Sequence, residues 1–379
     1  MGRGFPVAYS GRVLEARSDV VGSLLRPPEL LEARERFERG ELAAADFKRV
    51  EDAAVEDALR LQEEAGMAVV TDGEMRRLSF QSQMTEAVEG FGEWDLDAFL
   101  WGEWHSGELG EMKVERPPIA VQSKLRRRRF LSAEEFDYAH SRTDRILKVT
   151  LPSPSLFANF WDPERSGSAY ASLEEFLGDV AEILREEVDE LARLGATYIQ
   201  LDAPHYPLLL DPTYRDFYAS RGWPADRWLE LGLELDNHVY GNRDGVTFAM
   251  HLCRGNQASR WLVEGGYDWL AERLFARVNA ERLMLEYDDA RSGTFEPLRS
   301  VPEGKTAVLG LVTTKSGRRE TVDKLAARIE EASAFCPLER LALSPQCGFA
   351  TSVLGNDLTV ENQRAKLTTI AETAAAVWG

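Results

Sequence analysis

Eight short apolar runs, separated by long helical patterns, constrain this 379-residue chain more than any other feature. The runs cover residues 18–23, 67–74, 147–153, 197–204, 245–253, 282–287, 306–312 and 340–348. Each is brief and mostly apolar, as expected for parallel strands covered on both faces. Helical spacing of apolar residues fills 42–66, 173–196, 321–335 and 358–379. Gly66 and Gly195 are placed to end the first two helices, and Asn356 or Asp357 to open the last. Alternating β and α elements predict a parallel sheet, and eight repeats predict an α/β fold closed into a (β/α)8 TIM barrel. The surplus length falls after the second strand, at about residues 75–146, where "RPPIAVQSKLRRRRF" reads as an extra hairpin arm. The expectation is one domain over 1–379, with an N-terminal lead-in (1–17) and an inserted hairpin and helical segment.

Charge and cysteine count narrow the function classes. A formal charge of −19 opposes general nucleic-acid binding, which needs a positive surface. The basic run at 124–129 is a local exception, either a solvated edge or an anion patch. No apolar run is long enough for a spanning helix, and the first residues lack the apolar core of a secretory signal. Three cysteines make a disulfide framework improbable, so a reducing, cytoplasmic setting is expected. The acidic surface favours solubility and leaves a homo-oligomer open.

The chemistry of a barrel collects at the C-terminal ends of its strands. Here those ends carry Ser23, Asp72 and Glu74, Asp202 and His205, His251 and Cys253, Glu286, and Cys347. His251 and Cys253 are two apart on a strand, so both side chains leave the same face. With Glu286 and Cys347 they offer two sulfurs, one nitrogen and one oxygen, a set that suits tetrahedral Zn²⁺. Such a zinc, exchanging one ligand for a substrate thiol, would hold it as a thiolate nucleophile. The competing reading is ordinary buried cysteines beside a satisfied core histidine. Cys336, just past a helix, reads as core. Asp202, after an apolar strand, needs partners or a task. Glu74 is similar, whereas Asp72 fits a turn around Gly73. The Gly22-Ser23 loop could grip a carboxylate through its N–H groups, or cap a helix.

The segments "VGSLLRP", "TDGEMRR", "IQLDAPHY", "HLCRGN", "LMLEYDDARSG" and "LSPQCGF" appear in this order. Together they resemble the catalytic, C-terminal barrel of cobalamin-independent methionine synthase and its short stand-alone relatives, a family that also includes epoxyalkane:coenzyme M transferase. The likeness runs from about residue 18 to the end. It implies a zinc held by His251, Cys253, Glu286 and Cys347, and homocysteine held by Ser23, Glu74 and Asp202. The implied reaction is attack of a zinc-bound thiolate on an activated methyl group, a step of methionine biosynthesis.

Three positions depart from the family pattern. Val312 stands where the methionine synthases carry the His that protonates the leaving folate. Ala158 stands at the folate-stacking Trp, with Phe160 and Trp161 nearby, and Leu208 replaces a second Glu. The zinc–thiol half is kept and the folate half is not. The resemblance therefore implies a zinc-dependent thiol alkyltransferase, acting on homocysteine and a small or protein-bound methyl donor. The alternatives are coenzyme M with an epoxide, or a non-catalytic barrel stabilised by zinc. His205 or Tyr206 could supply a proton. Arg26, Arg76, Arg77 and Arg254 are candidates for an anionic group on the substrate, and Trp161 for stacking on it.

Overall fold

The computed structural model describes residues 14–93 and 101–379, so the first 13 residues of the expected lead-in lie outside the described residues. Among the described residues, eleven strands occur in chain order: β1 (Val69–Val70), β2 (Val88–Phe91), β3 (Gly102–Trp104), β4 (Met112–Val114), β5 (Val121–Arg127), β6 (Ile146–Pro152), β7 (Tyr198–Asp202), β8 (Thr247–Leu252), β9 (Arg282–Glu286), β10 (Thr306–Val312) and β11 (Leu341–Pro345). The longer helices are α1 (Pro28–Glu38), α2 (Ala44–Glu64), α3 (Ala133–His140), α4 (Leu173–Arg193), α5 (Pro212–Ser220), α6 (Ala225–Tyr240), α7 (Val322–Ser333) and α8 (Val360–Trp378).

Seven strands form one parallel sheet in the order β1–β6–β7–β8–β9–β10–β11. Residues 17–19 take the eighth place. Ser18 bridges Leu343 in parallel, and the Asp19 N–H donates to the Leu343 carbonyl at 2.9 Å. On the other side the Ala68 N–H donates to Ser18 Oγ at 3.0 Å and the Thr71 hydroxyl to the Gly22 carbonyl at 2.6 Å. The expected first strand, 18–23, thus shrinks to a bridge. The reason is Asp19, whose own carboxylate takes the Val20 N–H at 2.8 Å. Inside the barrel that carboxylate also accepts from Lys148 Nζ (3.0 Å), the Tyr198 hydroxyl (2.7 Å) and Arg282 (3.2 Å), all buried. A buried ionic cluster is tolerated here because every member is hydrogen-bonded.

The insertion lies between β1 and β6 and is more than a free arm. β2 pairs antiparallel with β5, and β3 with β4. Just past β3, His105 and Trp261 exchange two backbone hydrogen bonds at 2.8 and 2.9 Å, fastening the β3–β4 hairpin to the loop after β8. The basic run is neutralised locally. Lys124 pairs with Glu175 at 2.5 Å, Arg127 with Glu186 at 2.8 Å, and Arg126 with Glu89. It is an edge with acidic partners and not an anion patch.

Helix ends follow their caps. Ser172 accepts from the Glu175 N–H at 3.2 Å to open α4. Thr359 opens α8 in a capping box with Asn362, in place of the expected Asn356 or Asp357. Asn356 is engaged elsewhere, donating to the Thr314 carbonyl at 2.9 Å. Among the described residues, no helix is long and apolar enough to cross a membrane.

Candidate active site

The sheet brings four dispersed residues together. His251 lies near the end of β8, Cys253 just beyond it, Glu286 closes β9, and Cys347 sits two residues past β11. Their donor atoms all lie within 4.8 Å of one another, and all four are buried. The two sulfurs are 3.5 Å apart, close to the ~3.8 Å edge of a tetrahedron with Zn–S bonds of about 2.3 Å. Both ring nitrogens of His251 and both carboxylate oxygens of Glu286 are buried without a hydrogen-bond partner. A core histidine beside ordinary cysteines would not leave a carboxylate orphaned, because burying an unpaired carboxylate is costly. The donor set fits zinc.

Local contacts aim these ligands. The Tyr267 hydroxyl accepts the Glu286 N–H at 3.0 Å and donates to the Leu252 carbonyl at 2.8 Å, tying the ends of β8 and β9. Arg254 lies over the Tyr267 ring, 3.9 Å from its centroid, and donates to the Glu286 carbonyl at 3.1 Å. The Gly255 N–H points at Cys253 Sγ at 3.2 Å. Asn256 Nδ2 holds the Gly348 carbonyl at 2.8 Å, fixing the Cys347 loop. Cys347 is held well below the ordinary thiol range because Cys253 donates to it, with His251 adding to the effect against desolvation.

Three of these residues, His251, Cys253 and Cys347, line a cavity open to solvent. Ser23, Glu74 and Asp202 line it too. Glu74 has a left-handed backbone, with φ of 55°, set by its N–H donating to Asp72 Oδ1 at 2.9 Å. One carboxylate oxygen accepts from the Thr150 hydroxyl at 2.7 Å; the other is buried and unpartnered. Gly22 makes room, since a Cβ there would lie 2.6 Å from Glu74 Oε1. Likewise a Cβ at Gly348 would lie 2.1 Å from Ser23 Oγ. Asp202 accepts from Gln200 at 2.8 Å, and burial pushes its carboxyl up to about 7 despite His251 beside it.

Other expected site residues fall elsewhere. Arg26 does not reach the cavity; its guanidinium donates to the carbonyls of Glu74, Arg77, Ala350 and Ser352. Arg77 pairs with Glu135 at 2.8 Å and donates to the Thr150 carbonyl. Arg76 pairs with Asp52. Trp161 lies off the cavity, its indole N–H donating to the Tyr170 carbonyl at 3.3 Å. The Tyr206 hydroxyl donates to buried Asp236 at 2.6 Å, away from the metal ligands. His205 does line the cavity, but burial pulls its pKa down to about 3, so it is neutral at physiological pH and no imidazolium acid.

Two groups escaped the sequence reading. Trp101 and Trp104, from the insertion, line the cavity with Phe80, Tyr214 and Tyr218. Their spacing in "WGEW" carried no signal, because nothing in it says that the insertion folds over the mouth. Lys315, in "TTKSG" after β10, has a buried ammonium without a hydrogen-bond partner that acts on Glu286, Asp288 and Cys347. It offsets the negative charge of the cluster.

A parallel barrel with a thiol-rich, metal-competent cluster opening onto a substrate cavity defines the class: an enzyme that activates a thiol for group transfer. The family model for the catalytic domain of cobalamin-independent synthase matches residues 17–375. The chain is 34% identical over 365 residues to the uncharacterized protein YxjH of Bacillus subtilis, covering 96% of this chain and 94% of that one. It is 28% identical to a methionine synthase of Pyrococcus abyssi, over 87% of this chain and 85% of that one. A crystal structure from Listeria monocytogenes, named for the vitamin-B12-independent methionine synthases, superposes with a TM-score of 0.72 at 26% identity, covering 98% of this chain and 100% of that one. The chain belongs to the cobalamin-independent methionine synthase catalytic-domain family, and as such it is a methyltransferase to a thiol.

Proposed function

We propose that the protein transfers a methyl group to the thiol of homocysteine, with zinc held by His251, Cys253, Glu286 and Cys347. The observation that carries this reading is that the four-donor cluster opens onto the same cavity as Glu74 and Asp202. Zinc, when bound, supplies the positive charge that keeps a substrate thiol as a thiolate near neutral pH. The chain's own groups do the rest. Glu74 presents an unpartnered carboxylate oxygen, and Asp202 a second acid, to the ammonium of an amino-acid thiol. Ser23 offers its hydroxyl beside Gly348.

The alternatives are weaker on physical grounds. A sulfonate thiol such as coenzyme M needs a cation, and among the described residues no Lys or Arg lines the cavity. A purely structural zinc would be closed off, whereas three of these ligands face open space. The test is metal content with thiol titration. The purified protein is expected to hold about one zinc per chain, to release a proton on binding homocysteine, and to lose zinc in Cys253→Ser and Cys347→Ser. Proton release with coenzyme M but not with homocysteine would overturn the substrate assignment. Unchanged zinc in both variants would overturn the ligand set.

A further inference from the structure

The aromatic lining of the cavity has its own chemistry. Trp101 and Trp104 reach it from the insertion, Tyr214 and Tyr218 from α5, and Phe80 from the loop after β1. Trp101 packs against Tyr214 with ring centroids 5.2 Å apart. Among the described lining residues outside the metal cluster, the acidic side chains are Glu74 and Asp202, and there is no Lys or Arg. The arginines that might have faced it are engaged. Arg26 holds backbone carbonyls, Arg77 holds Glu135, Arg254 holds carbonyls around Tyr267, and Arg116 donates to the Asn159 carbonyl.

An anionic donor would find no Lys or Arg among the described lining residues. With Glu74 and Asp202 holding the ammonium of the thiol substrate, a cationic donor would meet the rings of Trp101, Trp104, Tyr214 and Tyr218, the kind of wall that recognises quaternary ammonium and sulfonium groups. We infer that the methyl donor is an onium compound, carrying its methyl on a sulfonium sulfur or a quaternary nitrogen. This rests on the thiol-transfer reading above. The step balances without an acid. The thiolate sulfur forms a bond to the methyl carbon, and the bond from that carbon to the onium atom breaks. Its electron pair stays on the leaving sulfide or tertiary amine, which departs neutral and takes no proton. Two expected sources of a proton are lacking: β10 ends in buried Val312, and the Tyr206 hydroxyl is bound to Asp236.

The test separates the pocket from the chemistry. Calorimetric titration of the full-length protein with choline and with its neutral isostere 3,3-dimethylbutan-1-ol is expected to show choline binding at least about 10-fold tighter. Trp101→Leu or Trp104→Leu should shrink that preference severalfold; the comparison in the unmodified protein stands even where a variant fails to fold. The zinc form is then assayed with homocysteine against S-methylmethionine, glycine betaine, methyl-corrinoid and triglutamyl methyl-folate. Methionine formed from a sulfonium or betaine arm supports the inference and says which onium is used. Equal binding of choline and the neutral alcohol, or faster turnover with methyl-folate or methyl-corrinoid, overturns it. If choline is preferred but an onium methylates coenzyme M and not homocysteine, the homocysteine assignment falls and the donor class stands.

Discussion

His205 provides a direct test of how the barrel mouth treats charge. The residue is buried, its two ring nitrogens lack partners, and its ring packs against Tyr206 and Trp228 with centroids 4.0 and 6.3 Å away. Desolvation lowers its pKa from 6.5 to about 3. The folded state therefore stays neutral from pH 6.5 down to about 3, while the unfolded chain takes up a proton. Stability from this group is fully present above the unfolded value and is lost as pH falls. At pH 5 the unfolded state gains about 1.5 pH units' worth of proton binding, or roughly 2 kcal/mol, against nearly nothing at pH 7.5. The perturbation is His205→Phe, which keeps a ring and removes the titration. Urea unfolding of both proteins at pH 7.5 and 5.0 reads the difference. The variant is expected to gain about 2 kcal/mol relative to the parent between the two conditions. A stability gap that does not change with pH would refute the reasoning and put a partner on the imidazole.

Tyr206→Phe should cost about 1–3 kcal/mol, from loss of the buried bond to Asp236, while methyl transfer proceeds at an unchanged rate; a large fall in kcat would restore Tyr206 as a proton donor. Gly22→Ala places a Cβ 2.6 Å from Glu74 Oε1, so KM for the amino thiol should rise about 10-fold or more with a smaller change in kcat; unchanged KM would remove Glu74 from ammonium binding. Lys315→Met strips a counter-charge from the cluster, and chelator competition should show zinc held about 10-fold more weakly.

The eight runs located the parallel strands well because a strand covered on both faces must be apolar throughout, whatever surrounds it. β6, β8, β10 and β11 lie within a residue of, or inside, the expected spans. The first run failed as a strand only because Asp19 uses its side chain on the backbone and on Lys148 and Arg282, partners more than 100 residues away. The four-donor cluster was legible for a similar reason. Soft and acidic residues at the ends of separate apolar strands have no packing purpose, and a barrel sends all those ends to one mouth.

The arginines and aromatics were a different matter. Arg26, Arg77 and Arg254 are drawn from the same motifs as residues that line the cavity, and a guanidinium looks the same in sequence whether it faces a ligand or a carbonyl. Only the fold shows that their donors are taken by backbone and by Glu135. Trp101 and Trp104 reach the cavity because the β3–β4 hairpin is fastened to the loop at Trp261, a contact between residues 156 positions apart. The sequence by itself determined the barrel and its four-donor cluster, since both follow from periodicity and residue chemistry along single strands. The tertiary structure decided which charges face the cavity and which rings wall it, because that depends on partners brought together from distant parts of the chain.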